Sequence, residues 1–187
     1  MSLITLTEAK NIYTSRNNYI AMDSIALSET TKKFDIFLSH SYADKSYARA
    51  AAAVLENEGY DVYIDWRDDK KLSRDNISKQ TAAILKNRMK QSRSLIYLIT
   101  ENYKKSLWMP WELGVFDGMC EGLNIAVFPL LINDDSDSLI EYLKLYPYID
   151  SAKPKDSIKK VLWVNESEKR YCRLKDWLKG DKPYLHN

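Results

Sequence analysis

The chain has 187 residues, with 28 Lys and Arg against 26 Asp and Glu, and this net charge of +2 forms no basic stripe that would call for nucleic acid. That length suits one domain with decorations and can bury a proper core. Its two cysteines, Cys120 and Cys172, stand far apart without a CxxC or a His-bearing spacing, which predicts a reducing cytoplasmic setting and no structural metal.

The opening Met-Ser-Leu-Ile-Thr-Leu-Thr-Glu-Ala-Lys has no basic start, long apolar run or small-residue cleavage site, so no signal peptide is expected there. No stretch approaches the roughly 18 apolar residues of a membrane span. Leu6, Ala9, Ile12 and Tyr13 recur at helical spacing, and a polar stretch follows, so residues 1–33 read as an extension packed onto the domain.

Phe34-Asp-Ile-Phe-Leu38 is a compact apolar run closed by Ser39-His40-Ser41, a buried strand. Tyr42 to Gly59 is helical, with Gly59 as its stop. A second strand over Tyr60–Ile64 leads into a long polar loop, Asp65 to Asn76. Ile77–Lys90 is a second helix and Ser94–Thr100 a third strand. Beyond the next helix, Asn124–Ile132 is a fourth strand in which Pro129 marks an end, a bulge or an edge. The Asp134-Asp135-Ser136-Asp137 cluster reads as a solvated loop in preference to a cation site. Leu139–Leu145 predicts a short helix, Lys160–Val164 a fifth strand, and Ser167–Lys179 a closing amphipathic helix through Tyr171, Leu174, Trp177 and Leu178.

Strands that are apolar throughout and alternate with helices predict an α/β fold with a parallel sheet covered on both faces. Ligands in such sheets sit beyond the carboxyl ends of the strands, here Ser39-His40-Ser41, Asp65-Trp66 and Thr100-Glu101-Asn102. The last of these feeds the stretch Ser106 to Cys120. Wound at about 100° per residue, Trp108, Trp111, Val115, Phe116 and Met119 share an arc with Glu112 near its middle. Ser106 can cap the helix, and Pro110 is tolerated in its opening turn. An acid on an apolar arc must be paired, hydrogen-bonded or set in a cleft. Gly114, Gly118 and Gly122 make a smooth stripe, read first as close packing against another backbone.

Several α/β chemistries are struck out by what is missing. Only five glycines occur, and neither GxGxxG nor a Walker A loop is among the motifs. The acidic pair and aspartate of a receiver domain are replaced by Ser-His-Ser and Thr-Glu-Asn. No GxSxG elbow exists, and the only histidines are His40 and His186.

Phe34-Asp-Ile-Phe-Leu-Ser-His-Ser41, Tyr60-Asp-Val-Tyr-Ile-Asp65, the long polar loop, and Ser106-x-Trp108-x-x-x-Glu112-Leu113 occur in the order and spacing of a Toll/interleukin receptor (TIR) domain. The chain resembles a bacterial TIR protein. The resemblance covers about residues 34–150 and implies a flavodoxin-like three-layer sandwich with a central, mainly parallel five-stranded sheet. Residues 1–33 would be a helical extension and residues 151–187 would complete or extend the domain.

In enzymatic members the glutamate of the W-x-x-x-E pattern cleaves the nicotinamide–ribose bond of NAD+, giving ADP-ribose or a cyclic isomer. The resemblance assigns that role to Glu112, and assigns substrate contacts to His40, Ser41, Asp65, Trp66 and Trp108. It implies NAD+ as substrate with no cofactor or metal, and self-association through the loop Trp66–Asn76 and neighbouring helices. It further implies a downstream effector that senses a nucleotide product in antiphage defence, while the scattered charge and the lack of a long apolar run leave neither nucleic acid nor membrane as an expected partner. The other reading open to the residues is a non-catalytic TIR interaction module. Glu112 could be a helix-start acid favoured by the macrodipole, Asp65 a turn cap, His40 a loop residue with local hydrogen bonds, and Trp108 and Trp111 core.

Overall fold

The computed structural model describes residues 4–17, 32–69, 72, 78–120, 124–130, 140–155 and 157–186. The elements are α1 (Leu6–Asn17), β1 (Phe34–Ser39), α2 (Lys45–Asn57), β2 (Val62–Tyr63), α3 (Asp65–Asp68), α4 (Lys79–Lys90), β3 (Ser92–Ile99), α5 (Trp108–Cys120), β4 (Ile125–Pro129), β5 (Tyr148–Ala152), β6 (Val161–Ser167), β7 (Arg170–Arg173), α6 (Leu174–Trp177) and β8 (Tyr184–Leu185). The strands form one sheet in the order β2-β1-β3-β4-β5-β6-β7-β8. From β2 to β5 neighbours run parallel, and from β5 to β8 they run antiparallel.

Strand residues alternate between two cores, because successive side chains leave a strand on opposite faces. Ile36, Leu38, Ile96 and Leu98 meet α1, α2 and α6 on one side. Phe37, Leu95, Tyr97 and Ile99 meet α4 and α5 on the other. This is the expected three-layer α/β sandwich. Local signals place its helices: Ser78 accepts a hydrogen bond from the Thr81 amide at 3.0 Å to start α4. Gly59, at φ +95°, ends α2 in the left-handed region.

Some boundaries and elements differ from the sequence reading. The second strand shrinks to Val62–Tyr63 at the sheet margin, and the polar loop begins as the helical turn α3. Arg67 holds that turn by bonding Glu56 at 2.6 Å and the Val62 carbonyl, while Asp68 accepts from the Ile64 amide at 2.7 Å. The anticipated closing helix is largely a hairpin, β6 to β7, and only Leu174–Trp177 is helical. Tyr171, Leu174, Trp177 and Leu178 fit a helical period, but Cys172 is buried between two half-buried neighbours, the period-two pattern of a strand. Tyr148–Ala152, with no strong apolar run, becomes the fifth parallel strand by pairing on both sides.

The glycine stripe also reads differently. Gly114 and Gly118 face outward, with nothing within 4 Å of an added Cβ, so they do not pack on another backbone. Gly122, the acidic cluster at 134–137, most of the loop 70–77 and residues 18–31 lie outside the described residues. The N-terminal helix is present, and Ile4, Leu6, Ala9 and Ile12 pack it into the core on the α2 side.

Candidate active site

α5 opens where the sequence places it, with the Ser106 hydroxyl accepting from the Met109 amide at 3.3 Å. One turn later, Glu112 shares the inward face with Met109, Leu113 and Phe116, and its side chain is 0% exposed. Below it lie the carboxyl ends of β1 and β3. Ser39, the last residue of β1, is the cross-strand partner of Tyr97 of β3, and both point toward α5. The Ser39 hydroxyl donates to Glu112 Oε2 at 2.6 Å. A carboxylate removed from water needs such donors, and a hydroxyl bonded to an ionised acceptor is the short, strong kind. Tyr97 lies close enough to respond to this charge. Its phenol is pushed well above the ordinary tyrosine range by burial first, with the Tyr142 phenol and the Glu112 carboxylate adding.

The other rim residues form a second group. His40 follows Ser39 and therefore turns to the α2 side, where Trp66 packs. The Trp66 indole nitrogen can only donate, and it reaches His40 Nε2 at 2.9 Å. The ring proton then sits on Nδ1, which bonds the Leu38 carbonyl at 3.0 Å. Asp65 Oδ1 lies 3.4 Å from the same Nε2. The Arg49 guanidinium lies 4.9 Å over the Trp66 ring. Ser41 is buried and holds the chain by its carbonyl, which accepts from the Asp44 amide at 2.9 Å. Asp44 in turn accepts from Thr100 Oγ1 at 2.6 Å and Asn102 Nδ2 at 2.8 Å, tying the loop after β1 to the loop after β3.

The structure thus brings Glu112 and Trp108 together on one helix turn, over Ser39. It gathers His40 and Trp66 into a separate hydrogen-bonded pair on the opposite sheet face, with Asp65 Oδ1 beside His40 Nε2. Trp108 is half-buried and meets Trp111 edge to face at 5.3 Å. Sequence reasoning did not single out Ser39 or Tyr97 as site residues. The signal was available in the strand alternation, since Phe37 pointing to one core obliges Ser39 to do the same. No group of three or more His, Cys, Asp or Glu able to hold a metal occurs among the described residues. No helix among them is long and apolar enough to cross a membrane.

A mostly parallel sheet with helices on both faces and a buried carboxylate over the carboxyl ends of β1 and β3 defines a doubly wound α/β domain, the class in which ligands sit beyond those strand ends. Residues 36–162, more than half of the chain, match the TIR domain, and the chain belongs to that family. It is 43% identical over 152 residues to a probable 3′ cyclic ADP-D-ribose synthase, ThsB′, of Bacillus cereus (strain MSX-D12), covering 80% of this chain and 78% of that protein. It is 33% identical to a candidate cyclic ADP-D-ribose synthase, TIR2 of Cytobacillus dafuensis, over 46% of this chain and 23% of the relative. With the 2′ cyclic ADP-D-ribose synthase BtTIR of Bacteroides thetaiotaomicron it shares 31% identity over 56% of this chain and 34% of that protein. The matched stretch spans most of the first relative but about a third or less of the other two.

Proposed function

We propose that the protein cleaves the nicotinamide–ribose bond of NAD+ and converts the ADP-ribosyl group to ADP-ribose or a cyclic ADP-ribose isomer, acting as a signal-producing enzyme of bacterial antiphage defence. The observation that carries this reading is Glu112, an inward carboxylate bonded to Ser39 where the parallel strands end. The 43% identity to a cyclic ADP-D-ribose synthase supports it.

Breaking the bond releases neutral nicotinamide and leaves positive oxocarbenium charge on the ribose, which an adjacent carboxylate stabilises. Water then captures the sugar to give ADP-ribose and a proton, or a nucleophile within the same molecule captures it to give a cycle. Trp108 is assigned to the nicotinamide side, one turn from Glu112. His40, Ser41, Asp65 and Trp66 are assigned to the border of the substrate site. Because His40 and Trp66 bond one another on the far sheet face, they act there as a unit.

Glu112 has no exposed surface in the single chain, so turnover requires the groups around the first turn of α5 to part. Self-association through residues 66–76 and the neighbouring helices is the step we assign to this opening. The test is incubation of purified protein with NAD+, dilute and with a crowding agent, with products resolved by chromatography and mass. Turnover that grows with protein concentration and vanishes in Glu112→Gln is the expected result. Equal turnover in that variant removes Glu112 from the reaction. A folded protein with no turnover under any of these conditions leaves the non-catalytic TIR interaction module.

A further inference from the structure

We infer that Ser39 is a positioning residue for Glu112: it fixes where the carboxylate points and holds it in the ionised form. This rests on the assignment of Glu112 above. The inward position after Phe37 faces the aromatic core, where an apolar side chain would suit the surroundings. A hydroxyl stands there instead, 0% exposed, and donates to Glu112. The two partners differ in freedom. Serine has one side-chain torsion and sits at the end of β1, held in register against Tyr97 of β3. Glutamate has three torsions and sits near the beginning of a helix. The bond joins residues 73 apart in sequence and transfers the rigidity of the sheet to the carboxylate.

Its chemical effect has a definite sign. Donation to the ionised form favours that form, so loss of the hydroxyl makes Glu112 bind a proton more readily. Activity that needs the carboxylate then fails at a higher pH on the acidic side of the profile. Ser39 touches the carboxylate and not the reacting atoms, so kcat carries the effect and KM for NAD+ changes little.

Two comparisons, the second isosteric, test this: Ser39 against Ser39→Ala, and Ser39→Thr against Ser39→Val, with wild type and Glu112→Gln alongside. Ser39→Ala is expected to lower kcat by about 10- to 100-fold, leave KM within about twofold, and move the acidic limb upward. Ser39→Thr keeps the limb near wild type, whereas Ser39→Val moves it. Should Ser39→Ala fail to fold, the Thr and Val variants decide. In all variants the Glu112 carboxyl resonance, titrated by NMR, reports proton affinity without requiring turnover. Wild-type kcat and limb in Ser39→Ala, or identical behaviour of Thr and Val variants, overturns the inference while leaving Glu112 catalytic. An inactive wild type whose Glu112 resonance still titrates higher without the hydroxyl instead overturns the enzymatic reading and keeps the coupling.

Discussion

The two faces of the sheet are built on different terms. Below its rim, the α2 face is largely aliphatic: Ile36, Leu38, Leu55, Ile96, Leu98 and the run Ala50 to Ala52 fill most of it, beside Phe128 and Trp177. The α5 face is aromatic and carries bonded polar groups inside it. Ser39 and Glu112 meet at one end, and near the other the Arg88 guanidinium grips Asp69 with two bonds of 2.8 and 2.7 Å while the Tyr63 phenol donates to the same carboxylate at 2.7 Å. Burial acts to raise the Asp69 pKa, yet the Arg88 and Tyr63 donors prevail and hold it below the usual range. Apolar contact without direction can stabilise the first face, whereas the second must meet each buried charge with a placed partner. Stability and chemistry should therefore separate by face.

That separation can be broken most sharply at Glu112. Glu112→Gln should lower NAD+ turnover by about a thousandfold, yet leave Tm within a few degrees, since Ser39 can donate to the amide oxygen as well. On the other face, Leu55→Ala should cost about 2–5 kcal/mol of stability, read by denaturant unfolding, with kcat per folded molecule unchanged.

A subtler case lies farther along the sheet, where Asp150 is buried beside Asn165 and the Oδ1 atoms of both lack a hydrogen-bond partner among the described residues. Burial raises the Asp150 pKa, partly opposed by Asn165. A carboxyl whose folded pKa is raised penalises the fold above that value and relieves it as pH falls toward the ordinary range. Asp150→Asn adds a donor for Asn165 and removes the charge. It should gain roughly 1 kcal/mol, about 2–4 °C in Tm, at neutral pH, and the gain should shrink in acid. The smallest effect is expected at Gly118, where an added Cβ meets nothing: Gly118→Ala should stabilise the chain by about 0.5–1 kcal/mol. Should copies associate through this side of α5, the same variant would weaken concentration-dependent turnover despite the higher Tm.

How much was legible followed from how local each signal was. Phe34–Leu38 and Ser94–Thr100 announce strands because continuous apolar runs need no partner to be read, and Glu112 announces itself as an acid on an apolar arc. Tyr148–Ala152 does not, since its strand conformation comes from β4 and β6 on either side. The residues 171–178 satisfy two periods at once, and pairing with β6 decides between them. Ser39 reads locally as a polar strand boundary, and its partner lies 73 residues away. His40 and Trp66 were legible as rim residues, but which sheet face they occupy depends on the register of Ser39, one position earlier.

The sheet ends at both margins in strands of only two residues, Val62–Tyr63 and Tyr184–Leu185. Such stubs expose too few unpaired amides and carbonyls to template another chain. Assembly of copies by edge-to-edge backbone pairing is thereby discouraged. Any contact between copies is then left to side chains on helices and loops, where a modest change of sequence can retune which neighbour is accepted without disturbing the central scaffold.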